Sequence, residues 1–427
     1  MGSGETRGRS SGSETRAWPA RAAHHTRHAR GAAVLAFTFP GQGSQRPGMG
    51  RPWVDHPSWE VVGDASEAAG RDIAALLLEA ESDELTATRN AQLATFALSL
   101  VALDAIERLG LAPSACAGHS LGEYTALVAA GALGFEDGAR LVTERGDAMQ
   151  GAADEHPGTM AAFLGISDAD AEAACQRAES DVWLANYNAP GQVVVAGTAE
   201  GVAAAAEVAK TLGARKVMPI QVGGAFHTPL MATARHRLRK ALGTATFTDP
   251  EIPVTANVDA RPHATAEEWP GLLSAQLCSP VRWHQTLHGL SESGVTSFVE
   301  VGPGGVLSAL ARRSVSGALA VSVSKPDDLD VLVETLAGEG PLHSYAAAHQ
   351  GEHLYTSERL VVSQAAGVFQ PRRGLQERVE VGDVVGTVGS DEVRSPFSGS
   401  LQGFLAIAGQ RVLTGQPVAW LRAAPAP

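Results

Sequence analysis

Apolar positions fall into three textures along the chain: unbroken short runs, helical spacing, and alternation. Ala32 to Phe39 is an unbroken run stopped by Pro40-Gly41-Gln42-Gly43-Ser44-Gln45, which predicts a buried strand opening into a Gly-rich loop. Trp59 to Ala80 and Ala91 to Leu109 carry apolar residues at helical spacing. Cys116-Ala117 reads as the end of a second buried strand, and Leu121 to Ala130 as a helix with few polar groups. Asp137 to Gln150 predicts another helix. Thr159 to Ile166, Val182 to Asn186, Gln192 to Ala196 and Arg215 to Val222 read as strands. Helices follow Ser167, with Asp170 completing a capping box, and Thr198. The reading joins the two middle strands by a turn at Tyr187-Asn188-Ala189-Pro190-Gly191. This βαββαβ order predicts a ferredoxin-like unit over residues 158–222, inserted into a larger α/β domain.

From Arg359 the texture becomes short β-type runs with frequent Gly. Val379 to Val388 and Ala406 to Val418 form a weak internal repeat, which predicts a small quasi-symmetric β-barrel. The expected layout is a disordered tail over 1–32, a core from 33–157 and 223–337, a linker over 338–357 and the barrel over 358–423.

Composition narrows the function. With 427 residues and 44% hydrophobic content the chain has length for two or three domains with real cores. The net charge of −13 argues against nucleic acid as a partner. No apolar run reaches a membrane span of about 20 residues. Cys116, Cys175 and Cys278 are odd in number and lack metal spacing, which points to a reducing cytoplasm and no metal site.

Candidate chemistry centres on Gly118-His119-Ser120-Leu121-Gly122. A Ser at a strand-to-helix corner is lifted out of the sheet over unpaired helix N–H groups, where an oxyanion is favoured. The alternative is a tight turn whose Ser caps the helix. The Gly41–Gly43 loop is no dinucleotide site, because Arg46 stands where a third Gly is needed. His227, in Gly223-Gly224-Ala225-Phe226-His227, is a candidate general base. Arg140 and Arg145 share one helix but point in different directions, so one of them can clamp a carboxylate from the pocket side.

Residues 34 to about 335 resemble the malonyl-CoA:acyl carrier protein transacylases of fatty acid and polyketide synthesis. The likeness rests on Gly41-Gln42-Gly43-Ser44-Gln45, Gly118 to Tyr124, the Arg145 helix, Asn188-Ala189-Pro190-Gly191-Gln192, Gly224 to His227, Gln276 with Pro280-Val281, and Glu300 to Gly304. The resemblance implies an α/β-hydrolase-like core with the ferredoxin-like insertion. It implies Ser120 as nucleophile and His227 as base, the base oriented by the main-chain carbonyl of Gln276. It further implies an oxyanion hole from the Gln42 and Leu121 N–H groups, Arg145 as partner of the malonyl carboxylate, and Gln92 and His119 in the pocket. Phe226 matches the pattern that favours malonyl over methylmalonyl. The substrates would be a CoA thioester and an acyl carrier protein, with no cofactor. A hydrolase that edits acetyl groups on a carrier protein is the alternative use of the same Ser and His.

The tail from Arg359 to Leu421 resembles the biotinyl/lipoyl domains, a barrel-sandwich hybrid. That family attaches its cofactor to a Lys in a hairpin, here occupied by Gly389-Ser390-Asp391-Glu392, and no Lys follows Lys325. The resemblance therefore implies a cofactor-free barrel, used for protein docking or for packing.

Overall fold

The computed structural model describes residues 34–337, 358–412 and 416–422. The expected tail over 1–32 and linker over 338–357 lie outside them.

In chain order the first part contains β1 (Leu35–Phe39), α1 (Glu60–Ala69), α2 (Ile73–Leu78), α3 (Ser82–Thr86), α4 (Thr88–Arg108), β2 (Ala115–Gly118), α5 (Gly122–Ala129) and α6 (Phe135–Glu155). Every residue of β1 and β2 is buried, as expected for strands covered on both faces. The region read as one helix over Trp59 to Ala80 is two. Gly70 takes a left-handed φ of 63°, ends α1, and Asp72 caps α2 by accepting from Ala75 N–H.

The next part contains β3 (Thr159–Leu164), α7 (Asp168–Arg177), β4 (Val182–Ala189), β5 (Gln192–Gly197), α8 (Ala199–Thr211) and β6 (Lys216–Ile220). These strands form their own antiparallel sheet in the order β4-β5-β3-β6. The βαββαβ order is as the sequence predicts. Two local details differ. β4 runs on through Tyr187 and Asn188, so only Pro190-Gly191 turns the chain. Ser167 does accept from Asp170 N–H, but the Asp170 carboxylate accepts a hydrogen bond from the Ser167 hydroxyl and not from the Ser167 N–H that a capping box would engage.

The chain then returns through α9 (Ala232–Leu242), β7 (Val254–Thr255), β8 (Pro262–His263), α10 (Trp269–Gln276), α11 (Trp283–Glu292), β9 (Ser297–Val301), α12 (Val306–Ser314), β10 (Leu319–Val323) and α13 (Asp327–Ala337). The larger sheet has the order β10-β9-β1-β2-β7-β8. All its pairs are parallel except β7 with β8. α4 is buried along most of its length and packs against α6, the sheet's β9 end and α5.

The insertion's sheet pairs with the loop after α10 through an isolated parallel bridge between Asn186 and Val281. Tyr187 N–H donates to Val281 O and Val281 N–H to Ala185 O, both at 2.9 Å. β4 thereby holds the loop that follows α10.

The last part contains β11 (Glu358–Val362), β12 (Gly367–Pro371), β13 (Arg378–Val379), β14 (Val384–Val388), β15 (Asp391–Arg394), β16 (Gly399–Phe404), β17 (Arg411–Val412) and β18 (Pro417–Arg422). They form two antiparallel four-stranded sheets, β11-β18-β16-β13 and β15-β14-β12-β17. Val361, Phe369, Val385, Val393, Leu401 and Leu421 share one buried core.

Candidate active site

The site begins at the corner where β2 turns into α5. Gly118 pairs with Phe39 of β1, and His119 N–H donates to Phe39 O at 2.9 Å. The turn is tight: a Cβ on Gly118 would lie 1.9 Å from the Gly122 carbonyl, and one on Gly122 would lie 2.0 Å from Phe39 O. Only Gly fits either place. Ser120 then takes φ 53°, a left-handed conformation that costs a residue with a Cβ about 1–2 kcal/mol. Asn257, just beyond β7, secures the corner. Its Oδ1 accepts from Ser120 N–H at 2.7 Å and its Nδ2 donates to Gly118 O at 2.6 Å.

The structure brings His227 to this Ser from the far side of the insertion. Nε2 stands 2.8 Å from Ser120 Oγ, and Nδ1 donates to Gln276 O at 2.8 Å. A proton on Nδ1 leaves the Nε2 lone pair facing the hydroxyl. His227 also has a positive φ, 63°, and is buried. Burial, with the Arg145 charge second, holds its pKa down to about 3, so the ring is neutral.

Arg145 is the inward arginine of α6, 1% exposed. Arg140 is outside, 60% exposed and paired with Asp137. Arg145 Nη1 donates to Gln92 Oε1 at 2.6 Å; Nη2 donates to Ser120 Oγ at 3.0 Å and Gln276 Oε1 at 2.9 Å. Its Cζ lies 5.5 Å from the centroid of the Tyr124 ring. None of these contacts is a carboxylate. Among the described residues the hydrogen bonds of Arg145 go to neutral groups, with the Glu123 carboxyl held off behind Gln276, and a buried guanidinium so placed can receive an anion.

These side chains face a cavity of about 170 Å³ lined also by Gln42, His119 and Phe226. His119 Nε2 lies 2.9 Å from Asn188 Oδ1, and burial lowers its pKa. Met160, Val194, Ile220 and Val222 supply an apolar wall from the insertion, and Leu307 and Leu310 another from α12. Gln42 Nε2 is buried without a partner among the described residues. Leu121, at the α5 N-terminus, is buried beside Ser120.

The sequence-predicted residues thus meet in one place: Ser120, His227, Gln276, Arg145, Gln92, His119, Gln42, Leu121 and Phe226. Sequence reasoning assigned no role to Asn257, Asn188 or Glu123. Asn257 lies between apolar Ala256 and Val258 just after a strand, and that isolated polar position was its signal. Glu123 follows the Ser by three positions on a helix whose residues are all buried. A charge there was the clue. Burial raises its pKa to about 7.

A Ser–His pair at the carboxyl end of a parallel strand, facing a buried cation, suits acyl transfer, and the match of the chain to the acyl transferase domain makes it an acyltransferase. The sequence pattern of the acyl transferase domain matches residues 36–343. A malonyl CoA-acyl carrier protein transacylase of Bacillus subtilis (strain 168) is 40% identical over 313 residues, 71% of this chain and 98% of that protein. The crystal structure of an acyl-carrier-protein S-malonyltransferase from Burkholderia pseudomallei 1710b aligns with a TM-score of 0.68 at 39% identity, covering 70% of this chain and 99% of that one. A malonyl-transacylase solved in complex with its holo type II polyketide acyl-carrier protein aligns with the same TM-score at 37% identity, covering 71% and 99%. The chain belongs to the malonyl-CoA:acyl carrier protein transacylase family. Among the described residues no helix is long and apolar enough to cross a membrane.

Proposed function

We propose that the chain moves malonyl from malonyl-CoA to the phosphopantetheine thiol of an acyl carrier protein through an ester on Ser120. The observation that carries this is the contact of Arg145 with both Ser120 Oγ and the Gln92 and Gln276 amides. A carboxylate bound to that guanidinium has its thioester carbon within reach of the hydroxyl.

His227 Nε2 takes the Ser120 proton as Oγ attacks the thioester carbonyl. The oxyanion is received by the N–H groups of Gln42 and Leu121, each worth about 3–4 kcal/mol of barrier. The C–S bond breaks, and the CoA sulfur leaves with the proton from His227. The carrier thiol then enters, gives its proton to His227 and attacks the ester carbonyl; the C–O bond to Ser120 breaks, Oγ takes the proton back from His227, and malonyl leaves as the carrier thioester. The carboxylate also helps the base. Arg145 is the largest charge holding the His227 pKa down, and its neutralisation by malonyl makes the imidazole more basic. The route needs no cofactor. An acetyl hydrolase would leave the clamp without use.

Phe226, 5% exposed, lines the cavity and crowds an α-methyl group. Malonyl is favoured over methylmalonyl by about 1–3 kcal/mol. The core over 33–157 and 223–337 is of the α/β-hydrolase-like kind, and residues 158–222 are ferredoxin-like. The C-terminal sheets form a biotinyl/lipoyl-like domain over 358–423. Its hairpin turn is Gly389-Ser390, between paired Val388 and Asp391, and lacks an amine for a prosthetic group. A barrel without that amine serves protein docking or packing. The cytoplasm, in keeping with the free Cys116, Cys175 and Cys278, is the proposed location.

Intact-mass measurement of the acyl-enzyme with malonyl-, methylmalonyl- and acetyl-CoA tests the reading. Malonyl should load first, on Ser120, and pass to a holo carrier protein. Faster acetyl release to water than malonyl transfer would refute it.

A further inference from the structure

Glu123 is buried at 1% exposure, and no step of the transfer uses it. Burying a carboxylate is costly unless every lone pair it can offer is engaged. Both its oxygens are engaged: Oε1 accepts from Asn257 N–H at 2.6 Å, and Oε2 accepts from Gln276 Nε2. The same Gln276 Nε2 donates to Ser120 O at 2.8 Å. Both amide hydrogens are therefore spoken for, and that decides which way the amide faces. Oε1 must point at Arg145, where it accepts from Nη2 at 2.9 Å. Turned over, the amide would set its NH2 against the guanidinium and its oxygen against both Ser120 O and Glu123 Oε2, three repulsive contacts.

We propose that Glu123 is a positioning residue for acyl-group selection: by locking the Gln276 amide, it holds the Arg145 guanidinium where the acyl carboxylate arrives. The inference rests on the reading of Arg145 as the malonyl partner. Gln276 then serves two ends through different atoms. Its main-chain oxygen orients His227, and its side chain orients the clamp. Glu123 is in turn fixed to the nucleophile corner by Asn257, whose side chain holds Ser120 N–H and Gly118 O. Nucleophile, base and clamp share one rigid reference.

The full chain carrying Glu123→Gln, Gln276→Met or both tests this, with Ser120 loading from malonyl-CoA and acetyl-CoA followed by intact mass and melting temperature recorded alongside. Gln276→Met keeps the main-chain carbonyl that His227 needs. In Glu123→Gln an NH2 must face a donor or force the Gln276 amide over. Each single variant should lower the ratio of malonyl to acetyl loading about tenfold or more. The double variant should fall no further than the worse single, because both break one contact. An unchanged ratio, an equal loss with both donors, or additive losses in the double variant would overturn the proposal. If Glu123→Gln does not fold, Gln276→Met alone decides by the same ratio. A wild type that loads no malonyl overturns the transferase reading and this inference together. A wild type that loads malonyl beside variants of unchanged ratio overturns only the inference.

Discussion

Ser120 Oγ and His227 Nε2 stand 2.8 Å apart although 107 positions separate the residues, and each sits on a left-handed backbone turn. Two such turns cost energy and persist only where surrounding contacts impose them. Here they aim the hydroxyl and the imidazole at each other. His227→Ala should slow Ser120 acylation about a thousandfold in rapid-quench measurements. A loss of less than tenfold would mean that another group takes the proton.

Arg145→Ala removes the only cation that touches Ser120 Oγ among the described residues. Malonyl loading should fall about a hundredfold, the worth of a charge-assisted bidentate contact. Acetyl loading should rise, since the pocket becomes less polar and the repulsion that depresses His227 disappears. Donor competition read by acyl-enzyme mass checks both directions, and a parallel fall of both would contradict the assignment.

The depressed pKa of His227 sets the acid side of the rate profile. The ring is a competent base only when neutral, and burial keeps it neutral down to about pH 3. With an acetyl donor, which leaves the clamp empty, acylation should hold level between about pH 5 and pH 8. A limb near 6.5 that persists in Glu123→Gln, which removes the carboxyl raised to about 7, would show that the imidazole is far more solvated than its burial indicates.

Gly118→Ala should destabilise the protein by at least about 3 kcal/mol, because the new methyl meets main-chain atoms that cannot rotate away. Chemical denaturation reads this directly. A change under about 1 kcal/mol would show that β2 and α5 can separate.

How much of this was legible beforehand follows from chain locality. The nucleophile corner could be read because its requirements are local: two glycines, a serine, and a helix starting on the next turn. The βαββαβ insertion was legible for the same reason, each strand and cap carrying its own signal. The break at Gly70 was not, since a helical apolar stripe continues on both sides of it and only the backbone shows the left-handed turn. Nor was β4 seen to its end. Tyr187 and Asn188 look like turn residues, yet bonding to Val281 across the domain keeps them extended. Residue spacing left Arg140 and Arg145 open and only the resemblance pointed to Arg145; its inward direction is set by the tertiary packing of α6. Asn257 and Glu123 carried only the faint mark of a polar group in apolar surroundings, because their importance lies in what they hold, and much of that comes from distant segments.

The bridge between β4 and the loop after α10 joins two parts with different tasks. Met160, Val194, Ile220 and Val222 come from the insertion, whereas Ser120, His227 and Arg145 come from the larger domain. Reshaping the βαββαβ face is therefore a route to altered acyl-chain scope that leaves bond making and breaking in place. Its limit is the Tyr187–Val281 seam, which any graft must reproduce, because the loop beyond it sets the imidazole.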